Sequence, residues 1–172
     1  MEKTDANNQI SAIELWKLLD KARFAVARLR GIELAQFGLT LEQSSILRAL
    51  IENNGSLTTK ELEDETMRKP NSISILVNRM VNMGLLRRER DKSRKVHRFY
   101  LTQEGENLIK KVTLASIEMS FDSFSDEEKQ QLSIYLKELL ENARELLGIP
   151  HRPPFVKYLL EQRRAEEENF NN

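Results

Sequence analysis

Three observations predict a mainly α-helical chain. Apolar residues recur at helical spacing over most of the 172 residues, and three segments of the form S/T-x-x-E/Q mark helix starts. Glycine and proline, the usual interrupters, number only six and four. Just one stretch, between Leu85 and Leu101, reads as strand. A chain of this length buries about 70% of the surface its unfolded form exposes, enough for a core of its own. No apolar run approaches the roughly 18 residues of a membrane span. The polar start, Met1-Glu2-Lys3-Thr4-Asp5, lacks the apolar segment of a signal peptide, and the expected compartment is the cytoplasm. There is no cysteine, which excludes disulfides, thiol catalysis, thiolate metal sites and thiol-based redox sensing.

The first helix is predicted from about Asn8 to Gln36. Ile13, Trp16, Leu19, Ala22, Val26, Leu29 and Leu34 form its apolar stripe, and Leu15, Leu18 and Ile32 widen it. At about 1.5 Å per residue it spans roughly 40 Å, longer than a small domain, so it packs on a second chain or is in part disordered. Gly38 ends it. Thr40-Leu41-Glu42-Gln43 opens a second helix, with Ile46, Leu47, Leu50 and Ile51 inward, that stops at Asn53-Asn54-Gly55. Thr58-Thr59-Lys60-Glu61 opens a short third helix to about Thr66. Pro70 suits the first position of a fourth, where its missing N–H has no partner to lose, and this helix runs to about Met83 before Gly84. Two short helices so spaced are a helix-turn-helix. Leu85–Glu89 and Val96–Leu101 are strands around a charged tip without glycine, so a loop longer than two residues is expected. Helix resumes after Thr102 to about Ser120. Ser125-Asp126-Glu127-Glu128 then opens a last helix carrying Leu132, Leu136, Leu139, Leu140 and Leu146, stopped by Gly148 and Pro150. Helices followed by a basic hairpin make a winged helix-turn-helix.

Charge locates the functional surface. The 27 basic and 27 acidic residues cancel, yet ten of the basic residues and only two acids lie between Arg68 and Arg98. That stretch carries +8 and the remainder −8, an asymmetry that calls for a polyanion or an anionic surface. In the helix from Pro70, Ile73, Leu76, Val77 and Met80 share one face, and Asn71, Ser74, Ile75 and Asn78 share the opposite one, both at i, i+3, i+4, i+7. Surface helices normally carry Glu and Lys, which are better helix formers than Asn or Ser. Short hydrogen-bonding side chains make sense against base edges: Asn pairs with adenine, and an apolar group such as Ile75 meets a thymine methyl. Ser72 belongs to the same predicted surface, and Arg79 is placed to reach guanine or phosphate. Lys69, at the cap, accepts no bond from the first N–H groups. Either water satisfies them or they join Arg68 and Lys69 around a phosphate. At the hairpin tip, Arg94 and Lys95 are the predicted wing contacts, since a narrow minor groove attracts inserted arginine. Lys92, Arg90 and Arg98 are expected near the nucleic-acid backbone.

These residues carry a resemblance. Phe37-Gly38-Leu39-Thr40 with Glu42-Gln43, then Met83-Gly84-Leu85-Leu86-Arg87-Arg88 and Leu101-Thr102-Gln103-Glu104-Gly105, stand in the order and spacing of the MarR family of bacterial transcriptional regulators. The resemblance covers roughly residues 10–147. It implies a homodimer whose first and last helices interlock, binding to pseudo-palindromic double-stranded DNA, usually as a repressor, and release by a small ligand or an oxidant. The expected division is an N-terminal dimerisation helix (1–36), a winged helix-turn-helix DNA-binding domain (37–102), C-terminal dimerisation helices (103–147) and a tail (148–172). The family's wing carries Asp-x-Arg, whereas the matching positions here read Ser93-Arg94-Lys95, with Asp91 the nearest acid; Arg94 is the expected groove reader.

The remaining chemistry is sparse. His97 and His151 lack a second ligand at metal spacing, Asp126–Glu128 is acid suited to a helix N-terminus, and no phosphate loop or nucleophile motif is present, so neither enzyme, metal nor cofactor is expected. Trp16 has two readings, dimer-core packing or the lining of an effector pocket for a small aromatic molecule. The tail holds Phe155, Tyr158 and Leu159, which dock on the partner chain or another protein unless this charged end is frayed. The competing functions are a winged-helix module that binds an acidic protein, and an activator or architectural DNA binder.

Overall fold

The structure is a computed structural model describing residues 10–91 and 96–148. Helix α1 spans Ala12–Ala35, α2 Leu41–Glu52, α3 Thr59–Thr66 and α4 Pro70–Asn82; strand β1 (Ser56–Thr58) lies between α2 and α3. Strands β2 (Leu86–Asp91) and β3 (Val96–Leu101) form the hairpin, followed by α5 (Gln103–Lys111), α6 (Ala115–Phe121) and α7 (Asp126–Leu146). The expected caps of α2, α3 and α7 are all formed. Thr40, Thr58 and Ser125 each accept the N–H three residues on, and Gln43, Glu61 and Glu128 return the bond.

Helix α1 starts four residues later than the apolar pattern implied. Ser11-Ala12-Ile13-Glu14 is a fourth capping box: the Glu14 N–H donates to Ser11 Oγ at 3.2 Å and the Ser11 N–H donates to Glu14 Oε2 at 2.9 Å. The sheet has a third strand that the sequence did not announce. Leu57 of β1 pairs with Phe99 of β3 in the order β1-β3-β2, all antiparallel. Three residues are too few to show alternation, and Thr58 serves at once as strand end and helix cap. Strand β2 extends to Asp91, two residues past the expected end, because the ladder with β3 continues through Arg90–His97 and Asp91–Val96 whatever the side chains.

One core lies between the helices and the sheet, with Leu34, Ile46, Leu50, Leu62, Met80 and Phe99 among its members. Ile51 was expected inside and is 45% exposed, since it falls 100° beyond Leu50 at the edge of the face that α2 turns inward. Nor is the stretch after Thr102 one helix. Val112 takes an extended conformation (ψ 116°) and separates α5 from α6. The break is tertiary in origin. Arg30 Nη1 donates to the Thr113 carbonyl at 2.6 Å, and the hydroxyls of Thr113 and Ser116 donate to the Glu33 carboxylate.

Those hydroxyls hold the Glu33 carboxyl down to about 2, Ser116 contributing most, then Thr113, with Arg30 and the Ser116 N–H adding against desolvation. A carboxyl lowered in the folded state contributes stability that is fully present above its ordinary value near 4.5 and is lost as pH falls toward 2. Thermal melts of Glu33→Gln and the parent between pH 5 and pH 2 should therefore converge toward the acid end; a constant offset would mean that the charge contributes nothing.

Gly105 closes the winged domain. A β-carbon there would lie 2.4 Å from the Leu85 carbonyl oxygen and 2.9 Å from Leu101 Cδ1, so α5 rests directly on the start of the hairpin. Gly105→Ala should cost about 1–3 kcal/mol, because backbone must shift to admit the methyl. A denaturant midpoint equal to the parent's would show that this contact yields without cost.

Candidate nucleic-acid interface

Helix α4 is seated on α3 and β2 by Ile73, Val77 and Met80, none more than 1% exposed. That burial turns Asn71, Ser74, Ile75, Asn78 and Arg79 outward, all exposed, with Ile75 at 66%. Ser72 and Lys69 are exposed at the same end of the helix. The turn that presents it is short: Met67 closes α3 in the left-handed region (φ 53°, ψ 30°), and Pro70 already stands at the first position of α4. A non-glycine residue rarely adopts this conformation, and here it allows three residues to re-aim the chain. Lys69 caps α4 without a side-chain bond.

Arg68 is half-buried and pairs with Glu42 Oε1 at 3.5 Å, tying the turn to the start of α2. The Glu42 carboxyl lies below its ordinary value, chiefly through its own backbone N–H, with burial opposing and Thr40 and Arg68 assisting. Arg68 therefore stands beside the exposed face with one partner already inside the protein.

The two faces of the hairpin differ in chemistry. Arg88 and Arg90 share the face of Leu86, the one toward α4, and Arg88 Nη1 donates to Asn78 Oδ1 at 3.4 Å. This bond is long, but it turns the Asn78 amide nitrogen away from Arg88. On the opposite face Arg87 pairs with Glu89 and lies 4.2 Å over the Tyr100 ring. Arg98, expected near nucleic acid, also lies on this opposite face. It donates to the Ser56 carbonyl at 3.3 Å and pairs with Glu61 at 3.4 Å, bracing β3 against β1 and α3. Burial raises the Glu61 carboxyl, but the N–H and hydroxyl of Thr58 together with Arg98 bring it below its ordinary value.

Arg88, one of the basic block, is a contact of the α4 face not expected from the sequence, although strand alternation from Leu86 puts Arg88 and Arg90 on one side. Lys92, Arg94 and Lys95 lie outside the described residues, so the α4 surface and the wing strands are placed and the tip is not.

Trp16 is 65% exposed on α1, and its neighbours Ile13, Leu18 and Phe24 are each more than 60% exposed. A groove of about 710 Å³ runs between α6 and α7, walled by Ile117, Phe121, Leu132, Leu136 and Leu140; Trp16 is not among its lining residues. Among the described residues no three acidic or histidine side chains are grouped to hold a metal, and no helix is long and apolar enough to cross a membrane.

A sequence model described as MarR family matches residues 37–95, which hold α2 to β2 and the charged tip. No curated protein matches the chain. Among solved structures, the MarR family transcriptional regulator AbsC from Streptomyces coelicolor is 26% identical, with a TM-score of 0.72 over 81% of this chain and 99% of that one. The organohalide-sensing RdhR transcriptional regulator in its ligand-free form is 22% identical, at 0.70 over 89% and 91%, and its 2,4-dichlorophenol-bound form is also 22% identical, at 0.67 over 88% and 95%. A mutant MarR from E. coli complexed with operator DNA is 20% identical, at 0.70 over 80% and 99%. The matched segment contains α4 and its adjoining strand, and the fold is shared along four-fifths of the chain with AbsC, so this chain is similar to MarR family transcriptional regulators in that segment and in fold.

Proposed function

We propose that this chain binds a specific pseudo-palindromic operator as a homodimer and represses transcription until a small molecule releases it. The observation that carries the reading is the juxtaposition of two surfaces. The exposed Asn71-Ser74-Ile75-Asn78 face of α4 adjoins a strand face bearing Arg88 and Arg90, with Arg88 touching Asn78. One surface has the dimensions and donors of a base reader, and the other supplies the cations that neutralise phosphate. The neighbour in complex with operator DNA supports this use of the fold.

The homodimer is supported by what the single chain leaves bare. Ile13, Trp16, Leu18 and Phe24 on α1, with Tyr135 and Leu139 on α7, are about half to two-thirds exposed, an apolar surface that monomeric proteins seldom carry. Two winged domains related by a twofold axis place their recognition helices about 34–36 Å apart, one helical turn of DNA. Release by an aromatic effector is supported by the dichlorophenol-bound form of the RdhR neighbour. Trp16 then has its place either in the dimer core or against that ligand.

The reading is tested by a mobility shift on the chain's own upstream region with scrambled DNA as competitor. It fails if both are bound alike, or if an acidic protein is bound and DNA is not. Binding should weaken steeply with salt as condensed counterions are displaced.

Asn78→Ala should lose about 1–3 kcal/mol on the cognate operator and little on scrambled DNA. Equal losses on both, in a fluorescence-anisotropy titration, would move Asn78 to the phosphate backbone. Arg94→Ala should weaken binding most at operators with A/T-rich flanks, where the narrow minor groove concentrates negative potential. Unchanged affinity at matched salt would remove Arg94 from the interface.

A further inference from the structure

The chain passes between the long helices and the winged domain twice. It enters after α1, and it leaves through the break between α5 and α6. One carboxylate holds both crossings. Glu33, in the last turn of α1, accepts from Arg30 Nη1 at 2.5 Å on the entry side. On the exit side it accepts from the hydroxyls of Thr113 and Ser116, and from the Ser116 N–H at 3.3 Å. Arg30 completes the link by donating to the Thr113 carbonyl at 2.6 Å.

The site is nearly dry, with the side chains of Arg30 and Glu33 only 5% and 11% exposed. Arg48 approaches from α2, inside the winged domain. Burial lowers its guanidinium, the like charge of Arg30 lowers it further, and Glu52 and Glu33 oppose both. Glu33 thus also balances two neighbouring cations, one on each side of the domain boundary. Without its charge, Arg30 and Arg48 would repel across the seam.

We propose that Glu33 is the positioning residue that sets the angle of the winged domain against α1 and α6, and through it the separation of the two recognition helices. The inference rests on the dimeric DNA-binding reading above. The lever is long enough to matter. A tilt of about 10° across a domain roughly 25 Å wide moves a recognition helix by about 4 Å. One base-pair step is roughly 3.4 Å. A loosened seam therefore costs discrimination between operator spacings more than it costs affinity for any one of them.

The test removes the exit-side donors and keeps the Arg30–Glu33 pair, as Thr113→Val/Ser116→Ala. Because the chain has no cysteine, Asn82→Cys, exposed at the far end of α4, gives one spin label per chain. The label-to-label distance distribution in the full-length dimer should broaden in the double variant. Its preference for the cognate operator over the same operator with one base pair inserted at the centre should fall by about 2- to 30-fold, the range in which coupling mutations act. Unchanged discrimination overturns the proposal even if the distribution broadens, and an unchanged distribution overturns it as well. A parent with no measurable inter-label distance overturns the dimer reading, and this proposal with it. Should the double variant lose its helical circular dichroism, Ser116→Ala alone, which removes a single donor, gives the same two readings.

Discussion

Everything on the interface side follows from the burial of one helix face. Ile73, Val77 and Met80 are excluded from water by α3 and β2, and a helix has only one rotation that buries such a stripe. The positions between them are thereby forced outward, whatever they are. Those positions hold Asn, Ser and Ile instead of the Glu and Lys of an ordinary surface helix, so the rotation decides what the molecule offers to a partner. The apolar side of α4 is a folding constraint, and its polar side is the part free to carry function.

The hairpin repeats this division in a strand. Along β2 and β3, side chains alternate, and the two faces have been given opposite electrostatic tasks. On one face Arg87 and Arg98 are matched by Glu89 and Glu61, and Tyr100 lies under the Arg87 guanidinium. Those cations join the strands to one another and to α3. On the other face Arg88 and Arg90 follow Leu86 out of the core toward α4. A protein with no net charge thus gathers Arg88 and Arg90 on one face of the hairpin, while Glu89 and Glu61 are committed to cations of the other.

A second constraint operates where the winged domain joins the rest. Arg30 and Glu33 are charged groups in a site with little water, and such groups need partners there. Those partners include hydroxyls and a carbonyl from beyond α5, where Val112 and Thr113 leave the helix. The break between α5 and α6 thus serves a buried carboxylate some eighty residues earlier in the sequence. The first half of α1 lies outside this contact with its apolar stripe bare, like the exposed leucines of α7.

Much of this was determined by the sequence alone, because it depends on neighbours. Caps at Thr40, Thr58 and Ser125, the proline at the head of α4 and the rotation of α4 are set by residues within one or two turns, and local chemistry is legible in local sequence. The box at Ser11 is equally local, but the apolar pattern that runs past it on the N-terminal side masks it. What only the tertiary structure decided depends on residues distant in the chain. Strand β1 exists because β3 has an edge for it to join, and Ile51 is exposed because the inward face of α2 ends at Leu50. Arg98 faces Glu61 because the ladder registers β3 against β1, and the helix after Thr102 breaks because Arg30 and Glu33 need its polar groups. A buried charge and an unpaired strand edge act across space, and linear order carries no record of which distant segment will answer them.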